Sequence, residues 1–269
     1  MIFVCPKCMG KLNISGGSAV CGAGHSYDRS KHGYFNLLLS SSGGTHGDNA
    51  EMVEARRTFL SRGYYEPLAL ALTEAVSLYA KDGAVLLDAG CGEGYYTEHV
   101  CGALASYAGT RVAAFDISKD AAKRTARRIP SAEVAVASSY HMPVADGSVD
   151  MIINTFSPLA AEEVRRALRV GGKFIMAIPA EEHLFGLKSA IYDTPYKNKL
   201  EDTAIEGFTL VSDKELKYTV KLDTGEDIRA LFMMTPYAYR TNAQGRERVL
   251  SLEKLETEAH FHILTYERQ

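Results

Sequence analysis

The stretch Ala84-Val-Leu-Leu-Asp88, followed by Ala89-Gly-Cys-Gly-Glu-Gly94, decides the fold of this chain. Its first part is a short apolar run that predicts a buried strand ending in a carboxylate, and a helix is expected after the glycines, to about Tyr107. Glycines at the carboxyl end of a parallel strand let the backbone approach a ligand closely, at the edge where open parallel sheets bind small molecules. The stretch therefore predicts a ligand pocket at the tip of this strand.

The acid of this strand favours one kind of ligand. A dinucleotide-binding fold would offer the same Gly-x-Gly tripeptide, so the glycines leave the ligand open. Asp88 lies two residues before Gly90 and would repel a pyrophosphate, whereas it would attract the sulfonium and ammonium groups of S-adenosylmethionine. We therefore expect Asp88, Gly90 and Gly92 to bind that cofactor.

The next two strands predict an adenosine-binding edge. Arg111–Asp116 reads as a strand that ends in an acid, 28 residues after Asp88. Asp116 could accept both ribose hydroxyls of a nucleoside, although an NAD enzyme could use the same acid. A third strand is predicted over Glu133–Ala137, and the hydroxyl of Ser138 at its end could meet the adenine edge.

Strands and helices continue to alternate along the chain, which predicts an α/β protein with a doubly wound, mostly parallel, seven-stranded Rossmann-like sheet. Two helices are expected before the first strand, over Glu51–Leu60 and Leu68–Ala80. After the third strand, the predicted elements are strands over Met151–Asn154 and Lys173–Ile178, a helix over Ala161–Leu168, a turn at Val170–Lys173, and a closing antiparallel pair, Phe208–Leu222 with Ala259–Tyr266, around a helix at Asp227–Met234.

The first residues of the chain show the spacing of a zinc site. A Cys-x2-Cys pair, twelve intervening residues and a Cys-x3-His pair supply four donors, Cys5, Cys8, Cys21 and His25. Three thiolates and one imidazole suit a single tetrahedral zinc ion, and four protein ligands leave it no open position, so the metal would be structural. A thioredoxin-like redox pair, free thiols, or His32 or His46 as the fourth ligand remain alternatives.

The chain divides into three segments on composition. We expect a zinc-binding, RNA-recognising module over residues 1–39, a polar glycine-rich linker over 40–50 and the catalytic domain over 51–269. Basic and aromatic residues mix in Tyr27–Leu38, which could stack bases and meet phosphates. Three apolar side chains of that segment should instead pack inward, namely Tyr34, Phe35 and Leu37.

Composition limits the class of protein. The 269 residues carry a net charge of −3, but residues 1–65 hold seven Lys/Arg against four Asp/Glu, a basic end that could lie against phosphates or could equally be scattered, solvated charge. No apolar run reaches the roughly 18 residues of a membrane span, and the start lacks a secretory signal. We therefore expect a cytoplasmic protein whose cysteines are ligands or buried thiols rather than disulfides.

Four segments resemble the successive landmarks of class I S-adenosylmethionine-dependent methyltransferases, namely Asp88–Thr97, Phe115–Ser118, Asp146–Asp150 and Val170–Lys173. Further segments narrow the resemblance, namely the zinc spacing, Lys31–Leu38, Ala50–Arg57 and Gly63–Leu68. Together they make nearly the whole chain similar to the RlmA family, the 23S rRNA guanine-N1 methyltransferases.

This resemblance implies an RNA partner, 23S rRNA, and a set of site residues. Zinc would be held by Cys5, Cys8, Cys21 and His25, and the cofactor would be contacted by Tyr65, Gly92, Glu93 and His183. The family has two branches that modify different guanines of one hairpin, and the sequence does not say which guanine this chain would modify.

The residues after the predicted fourth strand are candidates for binding the target base. In this fold they lie beside the reacting methyl group, so Asn154 and Ser157 could bind the base edge and Phe156 could stack on it. Packing of Phe156 in the core is the alternative for that side chain. No side chain stands out as acceptor of the guanine N1 proton. The arginines of Glu51–Arg62 and the zinc module are expected to hold the RNA hairpin, with charge reversal at Arg56 and Arg57 leaving cofactor affinity unchanged.

Two other functions compete with RNA methylation. A small-molecule methyltransferase, for example of a quinone precursor, could carry the Asp146–Asn154 segment, but it would not need a zinc module. A non-catalytic RNA-binding protein on a methyltransferase fold would not need the intact set of Asp88, Gly90, Gly92 and Asp116. The sequence leaves open whether the chain forms a homodimer.

Overall fold

A computed structural model describes residues 1–39, 47–199 and 203–269, so most of the predicted linker, and the alternative ligand His46, lie outside the described residues. The helices are α1 (Ala50–Ser61), α2 (Glu66–Ser77), α3 (Tyr95–Leu104), α4 (Lys119–Arg128), α5 (Ala161–Ala167), α6 (Phe185–Ile191), α7 (Gly225–Met233), α8 (Tyr237–Arg240) and α9 (Ala243–Leu250). Across these three ranges, no helix has both the length and the apolar character of a membrane span.

Two sheets organise the described residues. The strands are β1 (Leu12–Ser15), β2 (Ser18–Cys21), β3 (Ser26–Asp28), β4 (Phe35–Asn36), β5 (Val85–Ala89), β6 (Arg111–Asp116), β7 (Glu133–Val136), β8 (Val149–Thr155), β9 (Leu168–Pro179), β10 (Phe208–Leu222) and β11 (Leu255–Arg268). β1, β2 and β3 form a small antiparallel sheet, and the other strands form one sheet in the order β10-β11-β9-β8-β5-β6-β7-β4.

The centre of the large sheet is parallel and covered on both faces. β5 pairs in parallel with β6 on one side and with β8 on the other, and every residue of β5 is buried. A continuous apolar run suits this position because a parallel strand has no solvent-facing side. β10 and β11 close one end as an antiparallel pair. The predicted doubly wound, mostly parallel sheet is thus confirmed.

An eighth strand, which the sequence did not predict, comes from the N-terminal module. β4 pairs in parallel with β7, with Phe35 opposite Ala135. Tyr34, Phe35 and Leu37 are buried as expected, and Tyr34 packs in a cluster with apolar side chains of α4 and β7. The module is therefore joined to the catalytic body through the sheet as well as through the chain.

The predicted turn at Val170–Lys173 was wrong. These residues belong to β9, and the ladder with β8 steps from a pair at Leu168 to a pair at Lys173. Gly171 adopts φ 74°, which lets the strand bulge between those two pairs and continue. Two glycines between apolar strands resemble a turn in sequence, whereas pairing with β8 on one side and β11 on the other keeps the chain extended.

Candidate cofactor cleft and metal centre

The four predicted metal ligands converge on one point. Each of Cys5, Cys8, Cys21 and His25 has one donor atom, and these atoms all lie within 4.8 Å of one another. The Nδ1 atom of His25 lies 3.4 Å from the Sγ atoms of both Cys5 and Cys21. The Cys8 and Cys21 sulfurs are 3.7 Å apart, too far for a disulfide. Three thiols and an imidazole around one point fit a tetrahedral zinc ion.

Tight backbone turns bring the donors together. The Met9 N–H donates to the Cys5 carbonyl oxygen at 2.7 Å, and the Cys21 N–H donates to that of His25 at 3.0 Å. Within the described ranges, His25 rather than His32 completes the cluster, because the Nδ1 atom of His32 lies 3.0 Å from an Arg127 nitrogen instead. Tyr27 also contacts the metal centre, which was not predicted from the sequence: its hydroxyl lies 3.2 Å from the Cys5 sulfur.

A cleft opens at the carboxyl ends of β5, β6 and β8, with about 820 Å³ of empty space that includes part of the open solvent. α1 contributes two residues to its wall. The lining residues are Gly47, Asp48, Arg56, Leu60, Tyr65, Gly90, Cys91, Gly92, Glu93, Tyr95, Tyr96, Asp116, Ile117, Thr155, Phe156, Ser157, Pro158 and Met234.

The glycine bend adopts backbone conformations that other residues rarely take. Gly90 and Gly92 have φ values of 90° and 55°. A Cβ atom on Gly90 would overlap the side chain of Ser157, so the absence of a side chain lets β5 and the segment after β8 approach each other. The bend and that segment therefore form two adjacent walls of the cleft.

Asp116 lies in the cleft wall at the end of β6. Its Oδ2 atom accepts the Gly92 N–H at 2.9 Å and its Oδ1 atom accepts the Ser118 N–H at 2.7 Å. Burial raises the pKa of this carboxyl, and the two backbone hydrogen bonds oppose that rise. Each oxygen retains acceptor capacity for a ligand hydroxyl. The same side chain therefore fixes the glycine bend and could bind a ribose.

Two further acids are buried around the bend. Glu93 lines the cleft, is only 2% exposed, and lies 2.7 Å from an Arg128 nitrogen. Burial raises the pKa of Glu93 to about 7, and Arg128 lowers it in part. Asp88 lies behind the lining residues and accepts the Thr97 hydroxyl at 2.6 Å, and burial raises its pKa to about 7. Both carboxyls would ionise more readily beside a cation.

Three other predicted site residues also lie outside the cleft wall. The Nε2 atom of His183 is 3.5 Å from the hydroxyl of Tyr65, which does line the cleft, and burial lowers the pKa of His183 to about 3. The Ser138 hydroxyl accepts the N–H of Tyr140. Asn154 donates to the Ala89 carbonyl oxygen at 3.4 Å, so it ties β8 to β5. His183 and Asn154 thus adjoin residues around the cleft.

Phe156 stands at the opening of the cleft in an unusual conformation. Its φ is 59°, a left-handed value that costs energy for a residue with a bulky side chain, and it is 44% exposed. Its ring lies 5.5 Å from that of Phe261 and is stacked 6.3 Å from that of His183. A strained, exposed aromatic beside a cleft is well placed to contact a planar ligand.

Asp48 and Arg56 line the cleft, although neither was predicted to contact the cofactor. They form an ion pair, and Arg56 also donates to the Met234 carbonyl oxygen at 3.4 Å. This placement revises the expectation that Arg56 grips RNA without affecting the cofactor. Arg57 pairs with Glu54 on the surface. No sequence signal distinguishes the two adjacent arginines, because only the packing of α1 decides which one enters the cleft.

The remaining arginine of this segment is also occupied. Arg62 lies 2.9 Å from an oxygen of the buried Asp227 and 2.8 Å from one of Glu226. Both acids belong to the first turn of α7, so Arg62 joins α1 to α7. The three arginines of this segment therefore all have acidic partners within the protein.

Comparisons with known proteins agree with this geometry. Residues 87–176 match the family model of the methyltransferase domain, and residues 3–40 match that of the RlmA N-terminal zinc ribbon. The chain is 31% identical to YxjB of Bacillus subtilis (strain 168), provisionally named a 23S rRNA (guanine-N(1)-)-methyltransferase, over 95% of this chain and 92% of that protein.

Two further relatives have similar identities to this chain. A 23S rRNA (guanine(748)-N(1))-methyltransferase of Streptomyces fradiae is 32% identical over 81% of this chain and 79% of its own length. A Micromonospora griseorubida protein, provisionally named a 23S rRNA (guanine-N(1)-)-methyltransferase, is 32% identical over 87% and 84%. Both the zinc ribbon and the methyltransferase domain are matched, so this chain belongs to the RlmA-type family of 23S rRNA (guanine-N1-)-methyltransferases.

Proposed function

We propose that this enzyme transfers the methyl group of S-adenosylmethionine to N1 of a guanine in a hairpin of 23S rRNA, in the cytoplasm. One observation carries the cofactor assignment. Among the described residues, the cleft is lined by three acids, Asp48, Glu93 and Asp116, and by a single cation, Arg56. S-adenosylmethionine carries two cationic groups and one carboxylate, so its charges complement those of the wall. The names of the relatives support the RNA substrate.

Each part of the cofactor has a matching part of the wall in this proposal. Asp116 binds the ribose, the Gly90–Gly92 bend lies against the nucleoside and methionine portions, and Tyr65 and Glu93 contact the methionine end. His183 and Asp88 act through a neighbouring residue. His183 hydrogen-bonds Tyr65, which lines the cleft, and Asp88 hydrogen-bonds Thr97 of α3, the helix that follows the glycine bend. When bound, the cofactor supplies an electrophilic methyl group on its sulfonium, and the wall aligns that group with the acceptor.

The target guanine enters beside Phe156 and Ser157. The exposed ring of Phe156 stacks on the base, and the Ser157 hydroxyl, next to Gly90, meets its edge. Asn154 positions this segment through its bond to Ala89. Guanine N1 is hidden in a Watson–Crick pair, so the base must be unpaired or extruded. Its N1 proton leaves before or with methyl transfer.

The zinc module has a supporting role in this proposal. A structural zinc, one per chain, is held by Cys5, Cys8, Cys21 and His25, and residues 1–39 present an RNA-recognising surface. Residues 51–269 carry out the transfer, and the chain between the two parts connects them. The β4–β7 pairing fixes the module beside the catalytic body.

Labelled S-adenosylmethionine tests the proposal against its competitors. The zinc-loaded enzyme is incubated with unmodified 23S rRNA or with total metabolites, and Asp116→Ala serves as the control with a damaged cofactor site. Label in RNA, mapped by mass spectrometry to one guanine as the N1-methyl derivative, is expected. Label only in metabolites would instead show a small-molecule methyltransferase. No transfer to either, with the cofactor bound, would show a non-catalytic protein.

A further inference from the structure

A second groove, separate from the cofactor cleft but next to it, lies between the zinc module and the catalytic body. It is an open groove with about 700 Å³ of empty space, part of which is open solvent. Its walls are the turn at residues 30–34 and the start of α4. The lining residues are Ser30, Lys31, His32, Tyr34, Lys119, Asp120 and Lys123.

The basic side chains of α4 divide into two sets. Lys119, Lys123 and Arg127 are spaced four residues apart, so they form one stripe along the helix, with steps of about 6 Å. Lys119 and Lys123 line the groove, and Arg127 reaches the ring of His32 at 3.0 Å. The stripe therefore faces the turn of the zinc module.

The other set of α4 cations is already neutralised. Arg124 pairs with Glu54, and Arg128 pairs with Glu93 and Glu98. By contrast, Lys31 and the three cations of the stripe have no ion pair within the described residues. Asp120 is the single acid among the lining residues. The groove thus concentrates uncompensated positive charge.

The groove is held in a fixed shape. Tyr34, at its floor, is buried against apolar residues of α4 and β7, and Gly33 lies close to Ala126 of α4. Partial burial, together with the neighbouring cations Arg127, Lys123 and Lys31, lowers the pKa of His32, which favours the neutral ring. A linear, preformed array of hydrated cations suits a linear polyanion.

We propose that this groove binds backbone phosphates of the RNA substrate, an inference that rests on the proposed function. The groove adjoins the cofactor cleft, because Lys119 follows Ser118, whose hydroxyl bonds to the backbone of Asp48 at the cleft wall. An RNA strand along α4 therefore reaches the edge of the cleft. The exposed lining side chains are polar, which favours the phosphates of a nucleic acid over a lipid surface.

The test compares a variant that lacks the three cations of the stripe with a control variant that lacks three lysines elsewhere. One variant combines Lys119→Gln, Lys123→Gln and Arg127→Gln. The control combines Lys214→Gln, Lys217→Gln and Lys221→Gln on β10, at the opposite end of the sheet, where each lysine has an acidic partner. Both sets change the net charge equally. Affinity for a 23S rRNA hairpin fragment is measured across a salt series, and cofactor affinity by calorimetry.

We expect the α4 variant to bind the fragment at least about tenfold more weakly at low salt, and to lose about 2 to 3 from the slope of log affinity against log salt. Its KM for RNA should rise while kcat and cofactor affinity stay unchanged. The control should keep the wild-type slope. Equal melting temperatures for the variants exclude loss of fold as the cause.

A single substitution on the zinc-module wall of the groove provides a second test. Lys31→Gln should lower the slope by about 1, since one phosphate contact is lost. If both the α4 variant and Lys31→Gln kept the wild-type salt dependence of RNA affinity while the enzyme still methylated rRNA, the groove would not be an RNA-binding site. The proposed function would be unaffected by that result. Unchanged salt dependence of RNA affinity, combined with loss of binding of the variants to an acidic protein, would instead identify the groove as a protein-binding site. Absence of rRNA labelling by the wild-type enzyme would contradict the proposed function.

Discussion

The metal centre and the cofactor cleft are built in opposite ways. The four metal donors lie within the first 25 residues, and two backbone turns bring them together. The cleft is lined by residues from Gly47 to Met234, drawn from several separate elements. A site of the first kind can be read from spacing alone, whereas a site of the second kind exists only after the sheet and the helices have packed.

The two regions also differ in what stabilises them. β1 and β3 bury little, and the buried apolar side chains of the module, such as Phe3 and Leu12, pack in one cluster with those of the catalytic body rather than in a core of the module's own. A bound metal should therefore supply much of the stability of the metal-binding turns. The catalytic body has a large apolar cluster that includes Leu68, Leu86 and Phe261. The comparison therefore predicts that the metal can be lost without loss of the body.

Removal of one metal ligand should have the largest effect. Cys21→Ser should abolish tight zinc binding and unfold residues 1–28, because structural zinc contributes on the order of 10 kcal/mol to such modules. Hydrogen exchange would measure loss of protection in β1 and β2, and calorimetry would show cofactor affinity within a few-fold of wild type. Cys101→Ser, a free cysteine outside the cluster, is the control. Loss of protection in β5 would show that the two regions do not fold independently.

The second-largest effect, a loss of cofactor affinity, should come from substitution of Asp116, which hydrogen-bonds both the glycine bend and Ser118. Asp116→Ala removes the acceptor of the Gly92 and Ser118 N–H groups and the proposed ribose contact. Hydrogen bonds to a charged group contribute about 1.5–3 kcal/mol, so cofactor affinity should fall roughly 10- to 100-fold. Asp120→Ala, an exposed acid on the same helix-loop segment, should leave affinity in calorimetry unchanged. Equal losses in the two variants would contradict the assigned role of Asp116.

A smaller effect is expected where the two cleft walls meet. Gly90→Ala places a Cβ atom on the Ser157 side chain and also strains a left-handed backbone position. Strain of about 1–3 kcal/mol should weaken cofactor binding by about tenfold or more. Ser157→Gly combined with Gly90→Ala should restore part of the affinity measured by calorimetry. A double variant as weak as the single one would show that backbone strain, rather than the overlap, dominates.

The smallest effect should be a pH dependence of cofactor binding. The pKa of Glu93 is raised from 4.5 to about 7, so at pH 6 much of the apo enzyme holds this carboxyl neutral. A cationic ligand favours the ionised form, so affinity for S-adenosylmethionine should rise by less than about tenfold between pH 6 and pH 8. S-adenosylhomocysteine, which lacks the sulfonium charge, should show a smaller rise, and Glu93→Gln should flatten both curves in calorimetry.

The raised pKa of Glu93 also determines how its contribution to the stability of the apo enzyme changes with pH. The folded protein binds this proton more tightly than the unfolded chain, so the contribution of Glu93 to stability is lost as pH rises from about 4.5 to about 7. Denaturant unfolding of the apo enzyme across this range should show less dependence on pH in Glu93→Gln. An unchanged dependence would show that the shift of Asp88, or of another group, dominates.

Local sequence predicted most of the elements and part of the cleft. β6 and β10 were predicted with the bounds observed. β6 is a short apolar run that ends in an acid, whereas β10 is a mostly exposed strand in which polar and apolar residues mix. The glycine bend and Asp116 were predicted as cleft residues, since strand ends and glycines mark the ligand edge of a parallel sheet. Asp88, Ser138 and Asn154 were predicted as site residues from their places at strand ends, but they lie outside the cleft wall, because strand position does not determine side-chain depth. His183, which the resemblance implied, also lies outside it.

The sequence by itself determined most strands and helices of the catalytic domain, the convergence of the four metal donors and the place of the glycine bend, because each depends on contacts or periodicities within a short stretch. Only the tertiary structure decided which arginine of α1 enters the cleft, and that β4 extends the sheet. It also decided that one stripe of α4 faces the zinc module. These features depend on how elements distant in sequence pack against each other, and that information is absent from any single local pattern.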